Sequence, residues 1–368
     1  MQVFRVGGCV RDALLGEMRK AGAAPKTDRD WVVVGATPRQ MIDLGFRPVG
    51  RDFPVFLHPQ TQEEYALART ERKTRPGYKG FEPHASPDVT LEQDLARRDL
   101  TINAMAIGDD GRLVDPHGGR RDLEAGVLRH VSPSFVEDPV RILRLARFAA
   151  RFPDFTVAPE TAELTRTMVR NGEADALVPE RVMQELSRGL MESKPSRMIQ
   201  VLEQSGLIGR LYDELADLAT TAAALDRAAE RNLPLPARFA VLAGACRSPQ
   251  SVADFLGKLR APQDAAQLAR LLVELRDPLR SAASPDAVVD ALERGDAFRR
   301  PERFELLLQA FEVGGEGSAG RFRAALRAAS AIDAGAVAAS HRDDPAAIPR
   351  AIREARVAAV RGAPGDAG

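Results

Sequence analysis

The segment KTDRDWVVVG, Lys26 to Gly35, sets two aspartates two positions apart at the mouth of the apolar run Trp31, Val32, Val33, Val34. Side chains of a strand alternate between its faces, so Asp28 and Asp30 are expected to point the same way. Two carboxylates on one face repel each other and resist burial unless a cation lies between them. A divalent metal meets that demand; so does open solvent at a turn, and the pair read alone fits either. The rest of the chain has to decide.

Around this pair the sequence reads as a small mixed sheet with helices. Val3, Phe4 and Val6 form a strand that runs into Gly7-Gly8, after which Val10 to Leu15 has helical character as far as Gly16. Thr37-Pro38 supplies an N-cap followed by Pro at the first helical position, opening a helix to about Leu44. Residues 54–57 and 65–68 read as two more short strands, and the strand signal fades by about residue 131. From Glu137 onward Ala, Leu and Arg recur at helical spacing, with breaks at 232–237, 248–251, 281–286 and 314–320. The expected fold class is α+β: an N-terminal head of small mixed sheet and helices, followed by an all-helical neck, body and tail.

Composition narrows the function classes. The 368 residues exceed one ordinary core, and 44% hydrophobic with 28% charged residues is usual for a soluble globular chain. The 52 basic and 52 acidic residues cancel, which argues against a polycation and leaves local patches open. Cys9 and Cys246 make no disulfide framework and suit a reducing cytosol. Arg5, Arg11 and Asp12 interrupt the N-terminus before a signal sequence could form, and no apolar run approaches the roughly 20 residues of a membrane span. A cytoplasmic protein with no membrane contact is expected.

Two further clusters bear on the aspartates. A strand, then Gly7-Gly8, then a helix is a layout in which backbone N–H groups face an anion. Arg11 sits in the first helical turn, where the helix dipole disfavours a cation and an anionic ligand would remove the penalty. The third glycine and the distant acidic residue of a dinucleotide fingerprint are missing. In EDPVRILRLARFAARF, 137–152, Arg141, Arg144, Arg147 and Arg151 fall on one helical stripe, with Ile142, Leu145, Ala146 and Ala149 opposite. Ser134 with Glu137, or Asp138 with Pro139, marks the helix start. Unaided, that stripe reads as a solvated basic face on a core helix.

Taken together, GGCVRDALLG (7–16) followed by TDRDWVVVG (27–35) resembles the catalytic signature of the polymerase-beta-like nucleotidyltransferases. The nearest branch contains the bacterial tRNA nucleotidyltransferases and the poly(A) polymerases. The likeness continues in order through GRDFPVFLHP (50–59), EEYALARTERK (63–73), RRDLTINAMA (97–106), DPHGGRRDL (115–123), the 137–152 helix and PERVMQEL (179–186), covering residue 1 to about 205.

The resemblance implies template-independent addition of C, C and A to the acceptor end of tRNA from CTP and ATP, with Mg²⁺ as cofactor. It implies a catalytic set of Asp28, Asp30 and Glu64, with Asp28 and Asp30 as the metal ligands. Gly8 and Arg11 would meet the triphosphate, and Arg98 with Asp99 the ribose. Asp138 and Arg141 would form Watson–Crick-like contacts with the incoming base, while Arg144 and Arg147 would line the pocket. Donor logic supports that pair. A carboxylate accepting from an exocyclic amine beside a guanidinium donating to a ring nitrogen suits cytosine and adenine alike, whereas uracil and guanine reverse the pattern. Glu180, Arg181 and Glu185 would brace the helix that carries Asp138. The implied domains are a catalytic head at 1–131, a nucleotide-selecting and RNA-binding neck at 132–205, and a tRNA-binding body and tail at 206–368.

Three local features refine this. Gly50-Arg51-Asp52-Phe53 carries Asp where poly(A) polymerases of the branch carry a second Arg, which favours CCA addition; CC-only and A-only activities stay open. Arg69, Arg72, Lys73, Arg75 and Lys79, with Gly77 and Gly80 as hinges, read as a mobile loop suited to phosphates or as solvated surface. Some relatives carry a C-terminal metal phosphohydrolase marked by a His-Asp pair. Here none of His58, His84, His117, His130 and His341 is followed by Asp, so that chemistry is not expected in 206–368.

Overall fold

The computed structural model describes residues 1–18, 29–49, 55–73, 81–315, 317 and 319–362. Asp28, the 50–54 element and the 74–80 part of the basic stretch lie outside the described residues. Two compact units are present, one of 1–185 with 200–211 and one of 186–199 with 212–368.

The first unit is built on a mixed sheet. Strand β1 (Gln2–Val6) leads into α1 (Gly8–Met18); β2 (Asp30–Val34), α2 (Pro38–Asp43), β3 (Arg47–Pro48), β4 (Val55–Leu57) and β5 (Glu64–Leu67) follow. Next come β6 (Arg69–Lys73), β7 (Phe81–Ala85), α3 (Leu91–Ala96), β8 (Ala106–Gly108), β9 (Leu113–Val114), α4 (Gly119–Ala125) and β10 (Val127–Leu128). The main sheet runs β3-β4-β5-β2-β1-β8-β9, with β2 parallel to β5 and antiparallel to β1. Val32 and Val33, neighbours in sequence, go to opposite faces and are each 1% exposed. Val32 joins Val6, Leu91, Leu95 and Ala106; Val33 joins Met41, Phe56 and Leu67. The run of valines is thus a central strand covered on both sides, and its alternation holds Asp30 to the Val32 face.

Local chemistry explains the shorter elements. Thr37 caps α2 in a reciprocal capping box with Gln40, as the Thr-Pro signal predicts, and Thr90 does the same for α3 with Gln93. Helix α1 begins at Gly8 rather than near Val10 and continues through Gly16 to Met18. A glycine weakens a helix interior by only about 1 kcal/mol, so Gly16 does not stop it. The expected loop from residue 69 begins instead as a strand, β6, paired antiparallel with β7. Its hydrogen-bond partner lies beyond a chain reversal, a non-local pairing that charge composition does not reveal.

The helical part of this unit comprises α5 (Val140–Arg151), the short strand β11 (Thr156–Val157) beside β10, α6 (Pro159–Arg170), the start of α7 (Pro179–Leu190), the end of α8 (Pro195–Gln204) and α9 (Leu207–Leu211). Helix α5 starts two residues later than a start at Asp138 would place it, with Pro139 as its N-cap residue. The Asp138 carboxylate accepts the Val140 amide at 3.1 Å and so still satisfies one unpaired N–H of the first turn.

The second unit is helical. It holds α10 (Leu218–Glu230), α11 (Leu235–Ala243), α12 (Pro249–Leu259), α13 (Gln263–Ser281), α14 (Pro285–Arg294), α15 (Pro301–Val313), α16 (Gly320–Ser330), α17 (Ala334–Ser340) and α18 (Ile348–Gly362). Helices break where the sequence carries Pro, Ser and Gly. Ser248 caps α12 in a box with Ser251 and with Pro249 at its first position, and Ser284 caps α14 before Pro285. No described helix is long and apolar enough to cross a membrane.

Candidate active site

The carboxylates stand at one end of the β2–β5 pair. Asp30 is in register with Glu64 on the parallel neighbour and with Val6 on the antiparallel one. In-register residues of adjacent strands point to the same face, so Asp30 and Glu64 present their carboxylates side by side, and both are exposed. Residues two apart share a face as well, which is the relationship expected between Asp30 and Asp28.

Directly after Val6 the chain turns. Gly7 has φ +72°, a left-handed conformation that costs other residues about 1 kcal/mol or more. A Cβ at Gly7 would lie 3.1 Å from Arg98 Nη1 and 4.0 Å from Asp30 Oδ2. The glycine turn, one guanidinium and one carboxylate of the predicted set therefore converge on one spot. Gly8, the first residue of α1, follows at once.

Arg98 is held from behind. Its Nη2 donates to Asp94 Oδ2 at 3.1 Å, and Asp94, fully buried, also binds Arg97 at 2.7 Å. Burial raises the Asp94 carboxyl, but the charges of Arg97 and Arg98 outweigh it, so the net shift is downward and Asp94 stays ionised. The buried Arg98 Nε has no hydrogen-bond partner among the described residues. The end of the guanidinium that faces the Gly7 turn is Nη1, a charged donor beside a backbone turn.

Beneath this lies a connected polar network. Arg11 is 3% exposed; its Nε donates to Asp12 at 2.8 Å and its Nη1 to Asn103 Oδ1 at 2.6 Å. The rings of Phe148 and Phe152 lie 5.1 and 5.2 Å from its guanidinium carbon. The counter-charge expected from a ligand is thus supplied in part by Asp12. Asn103 Nδ2 donates to Asp99 Oδ1 at 3.1 Å, and Arg144 Nε donates to Asp99 Oδ2 at 2.7 Å. Burial pushes the Asp99 carboxyl up, but Arg144, Asn103 and the Leu100 amide outweigh it and hold it well below the ordinary carboxylate range.

The arginine stripe of α5 is not a solvated face. Arg141 is 6% exposed and donates to the backbone oxygens of Ser134 at 2.8 Å and Arg97 at 2.6 Å. Arg147 pairs with Glu185 at 2.8 Å, Arg144 lies 3.7 Å from the same carboxylate, and Arg151 reaches Asp12 at 3.0 Å. Asp138 is gripped by Arg181 at 3.1 and 2.9 Å, so α7 meets the α5 start through Arg181 and the middle of α5 through Glu185. Asp138 and Arg141 are therefore anchored separately, one by a side chain and one by carbonyls.

Sequence reading passed over Asp12, Asp94 and Asn103. Asp94 meets Arg97 and Arg98 three and four residues on, Asp12 meets the adjacent Arg11 and, on α5, Arg151, and Asn103 lies between Arg11 and Asp99. The motifs GGCVRDALLG, which contains Asp12, and RRDLTINAMA, which contains Asn103, were the available pointers.

Residues 3–129 match the family model described as the poly A polymerase head domain, and 154–218 match a probable RNA- and SrmB-binding site of polymerase A. A CCA-adding enzyme of Bordetella bronchiseptica is 56% identical over 365 residues, covering 99% of this chain and 97% of the relative. In fold, a CCA-adding enzyme solved in an apo form matches with TM-score 0.74 at 23% identity, over 100% of this chain and 89% of that one. The Thermotoga maritima CCA-adding enzyme, solved with a tRNA, matches with TM-score 0.68 at 23% identity, over 99% and 88%. With over half of its residues shared along nearly its whole length, the chain belongs to the CCA-adding enzymes, the class II tRNA nucleotidyltransferases.

Proposed function

We propose that the site at the Gly7 turn and the end of the β2–β5 pair carries out the family's reaction: C, C and A are added to the 3′ end of tRNA from CTP and ATP, with release of pyrophosphate. The observation that carries this reading is the in-register pair Asp30 and Glu64 beside Gly7 and Arg98. Carboxylate oxygens are the donors that hard divalent cations take, so Asp30 and Glu64, with Asp28, fit Mg²⁺. Bound there, such ions supply charge neutralisation at the attacking 3′-hydroxyl and the leaving pyrophosphate.

The chain's own residues do the rest. Arg98, backed by Asp94, offers its Nη1 toward phosphate or ribose oxygens, and the Gly7-Gly8 turn lets the triphosphate approach the backbone. Asp99 orients Arg144 from below, and Arg11 steadies Asn103 and Asp12. Asp138 and Arg141 read the base edge, while Arg144 and Arg147 line the pocket wall. Asp138 Oδ1 already accepts from Arg181 and from the Val140 amide, so Oδ2, bonded to Arg181, is the oxygen with a lone pair left to accept an amine hydrogen from cytosine or adenine. We assign 1–131 to the catalytic head, 132–205 to the neck and 206–368 to a tRNA-binding body and tail. The cytoplasm is the compartment in which Cys9 and Cys246 remain thiols.

The test is a single-nucleotide-resolution gel with tRNA lacking its 3′ end, Mg²⁺, and CTP, ATP or both. Growth by three residues with both nucleotides, and by two with CTP alone, is expected. An ATP ladder on generic RNA would identify a poly(A) polymerase, and arrest after CC a CC-only enzyme. Asp28→Ala should abolish growth; unchanged growth would remove Asp28 from the catalytic set.

A further inference from the structure

Positions 144, 148 and 152 follow one another at four-residue intervals, so Arg144, Phe148 and Phe152 line one side of α5 and its end. Phe148 meets three cations there. The guanidinium carbon of Arg147 lies over its ring, 4.8 Å from the centroid, with that of Arg11 at 5.1 Å and that of Arg144 at 5.8 Å. All three fall inside the roughly 6 Å within which a ring face attracts a cation. The Phe152 ring is tilted from it by only 2°, with centroids 6.2 Å apart. Arg11 lies over that ring too, at 5.2 Å, and Arg151 at 5.5 Å. Both phenylalanines are buried.

Arg11 shows what the rings supply. Burial holds its guanidinium below its ordinary value, a fall that Asp12 opposes and the charge of Arg151 deepens. Its bonds to Asp12 and Asn103 are made from the edge of the group, through Nε and Nη1, whereas both rings meet its carbon. Guanidinium N–H donors lie in one plane, so a ring over the face holds the group without occupying a donor. A carboxylate partner also neutralises the cation; a ring leaves the full charge for a phosphate. Arg11 Nη2 lies 3.5 Å from where a Cβ at Gly8 would stand, which puts the held cation beside the glycine turn.

We propose that Phe148, with Phe152 beside it, is a positioning residue of the reaction. Its ring fixes Arg11, Arg144 and Arg147 in the orientation in which they receive the incoming nucleotide, so little order remains to be gained when CTP or ATP binds. Phe148 acts through the three arginines and not on the nucleotide itself. The inference rests on the proposed function, which assigns Arg11 to the triphosphate and Arg144 and Arg147 to the pocket wall.

The test replaces Phe148 in the full-length protein by mono-, di- and trifluorophenylalanine. Each fluorine draws electron density from the ring face and weakens its hold on a cation, while the shape of the side chain changes little. Dissociation constants for CTP and ATP, and KM in CCA addition, are expected to rise stepwise with the number of fluorines. The trifluoro ring should reach about tenfold, with kcat within about twofold of wild type. Phe148→Leu, which removes the ring face outright, should weaken binding at least as far. If it does not fold, the fluorinated series, which keeps the core filled, decides alone. A ring with a merely structural role would move the melting temperature and leave the dissociation constants flat. Constants that stay flat in the folded fluorinated proteins, or that do not follow the number of fluorines, would overturn the proposal, while intact CCA addition left the proposed function standing. Absence of both CTP binding and CCA growth in the unsubstituted protein would overturn that function and this inference with it.

Discussion

Arg181 holds the Asp138 carboxylate with both arms of its guanidinium, Nη1 to Oδ1 at 3.1 Å and Nη2 to Oδ2 at 2.9 Å, across 43 residues of chain. Arg141, three positions beyond Asp138, is fixed by the Ser134 and Arg97 carbonyls instead. The two residues assigned to read the base thus take their orientation from different elements, and one can be disturbed without the other.

Arg181→Lys keeps the charge and loses the fork. The pair is a quarter and a fifth exposed, so its worth to stability is only about 1 kcal/mol after solvent screening. Melting should move by a few degrees at most, whereas discrimination of CTP and ATP against UTP and GTP should fall by about tenfold or more. Competitive incorporation on trimmed tRNA measures this. Unchanged selectivity would show that Asp138 is oriented by something other than Arg181.

Glu64 and Asp30 are exposed at a strand end, so neither is needed for packing. Glu64→Gln and Asp30→Asn should melt within about 0.5 kcal/mol of wild type, as surface changes do. Single-turnover rates should fall on the order of 100-fold or more, the scale for losing one electrostatic participant. A Glu64→Gln enzyme at near wild-type rate would remove Glu64 from the catalytic set and leave its register with Asp30 without a chemical role.

Asn103 joins Arg11 to Asp99, the residues assigned to the phosphate and the ribose. Its amide orientation is forced, because a guanidinium cannot accept and an ionised carboxylate cannot donate: Oδ1 faces Arg11 and Nδ2 faces Asp99. Asn103→Ala leaves both partners short of a bond in a buried place, a cost of about 1–3 kcal/mol by denaturant unfolding. Because Asn103 bonds to Arg11 and Asp99 and not to the pair assigned to read the base, kcat/KM for CTP and ATP should drop together, with selectivity against UTP unchanged. A drop confined to one nucleotide would contradict this.

Asp99 makes stability depend on pH. Its folded-state pKa lies below its unfolded value, so the stabilisation is fully present above the unfolded carboxylate range and is lost as pH falls below about 4. Arg144→Met strands the 7%-exposed Asp99 charge. At pH 7 the cost should be about 2–3 kcal/mol, less than for a fully buried pair because Arg144 is a third exposed. Toward pH 4 the gap from wild type should narrow as Asp99 protonates without its partner. Urea melts across that range test it; a gap that widens with acid would reverse the assignment.

Much of the head was legible because its signals are short-range. The alternation through Trp31 to Val34, the Thr37-Pro38 start and the glycine turn after Val6 each depend on a few consecutive residues, and each appears where those residues place it. The β6–β7 pair was not legible, since a strand there exists only through its pairing. The α5 stripe shows the same limit from the other side. Helical spacing places four arginines on one face, but spacing carries no information about what meets that face.

The sequence by itself determined the elements with short-range signals, the order of motifs, and the kinds of atom available: carboxylates after a turn, guanidinium groups at helical intervals, glycines where the backbone must come close. Only the tertiary structure decided which carboxylate meets which guanidinium. It set Glu64 in register with Asp30, gave Asp138 to Arg181 and Asp99 to Arg144, and put Asn103 between Arg11 and Asp99. The physical reason is that propensity and periodicity are properties of neighbours along the chain. The partner of a buried charge is whichever opposite group packing brings within about 3 Å, because burying either one alone costs several kcal/mol.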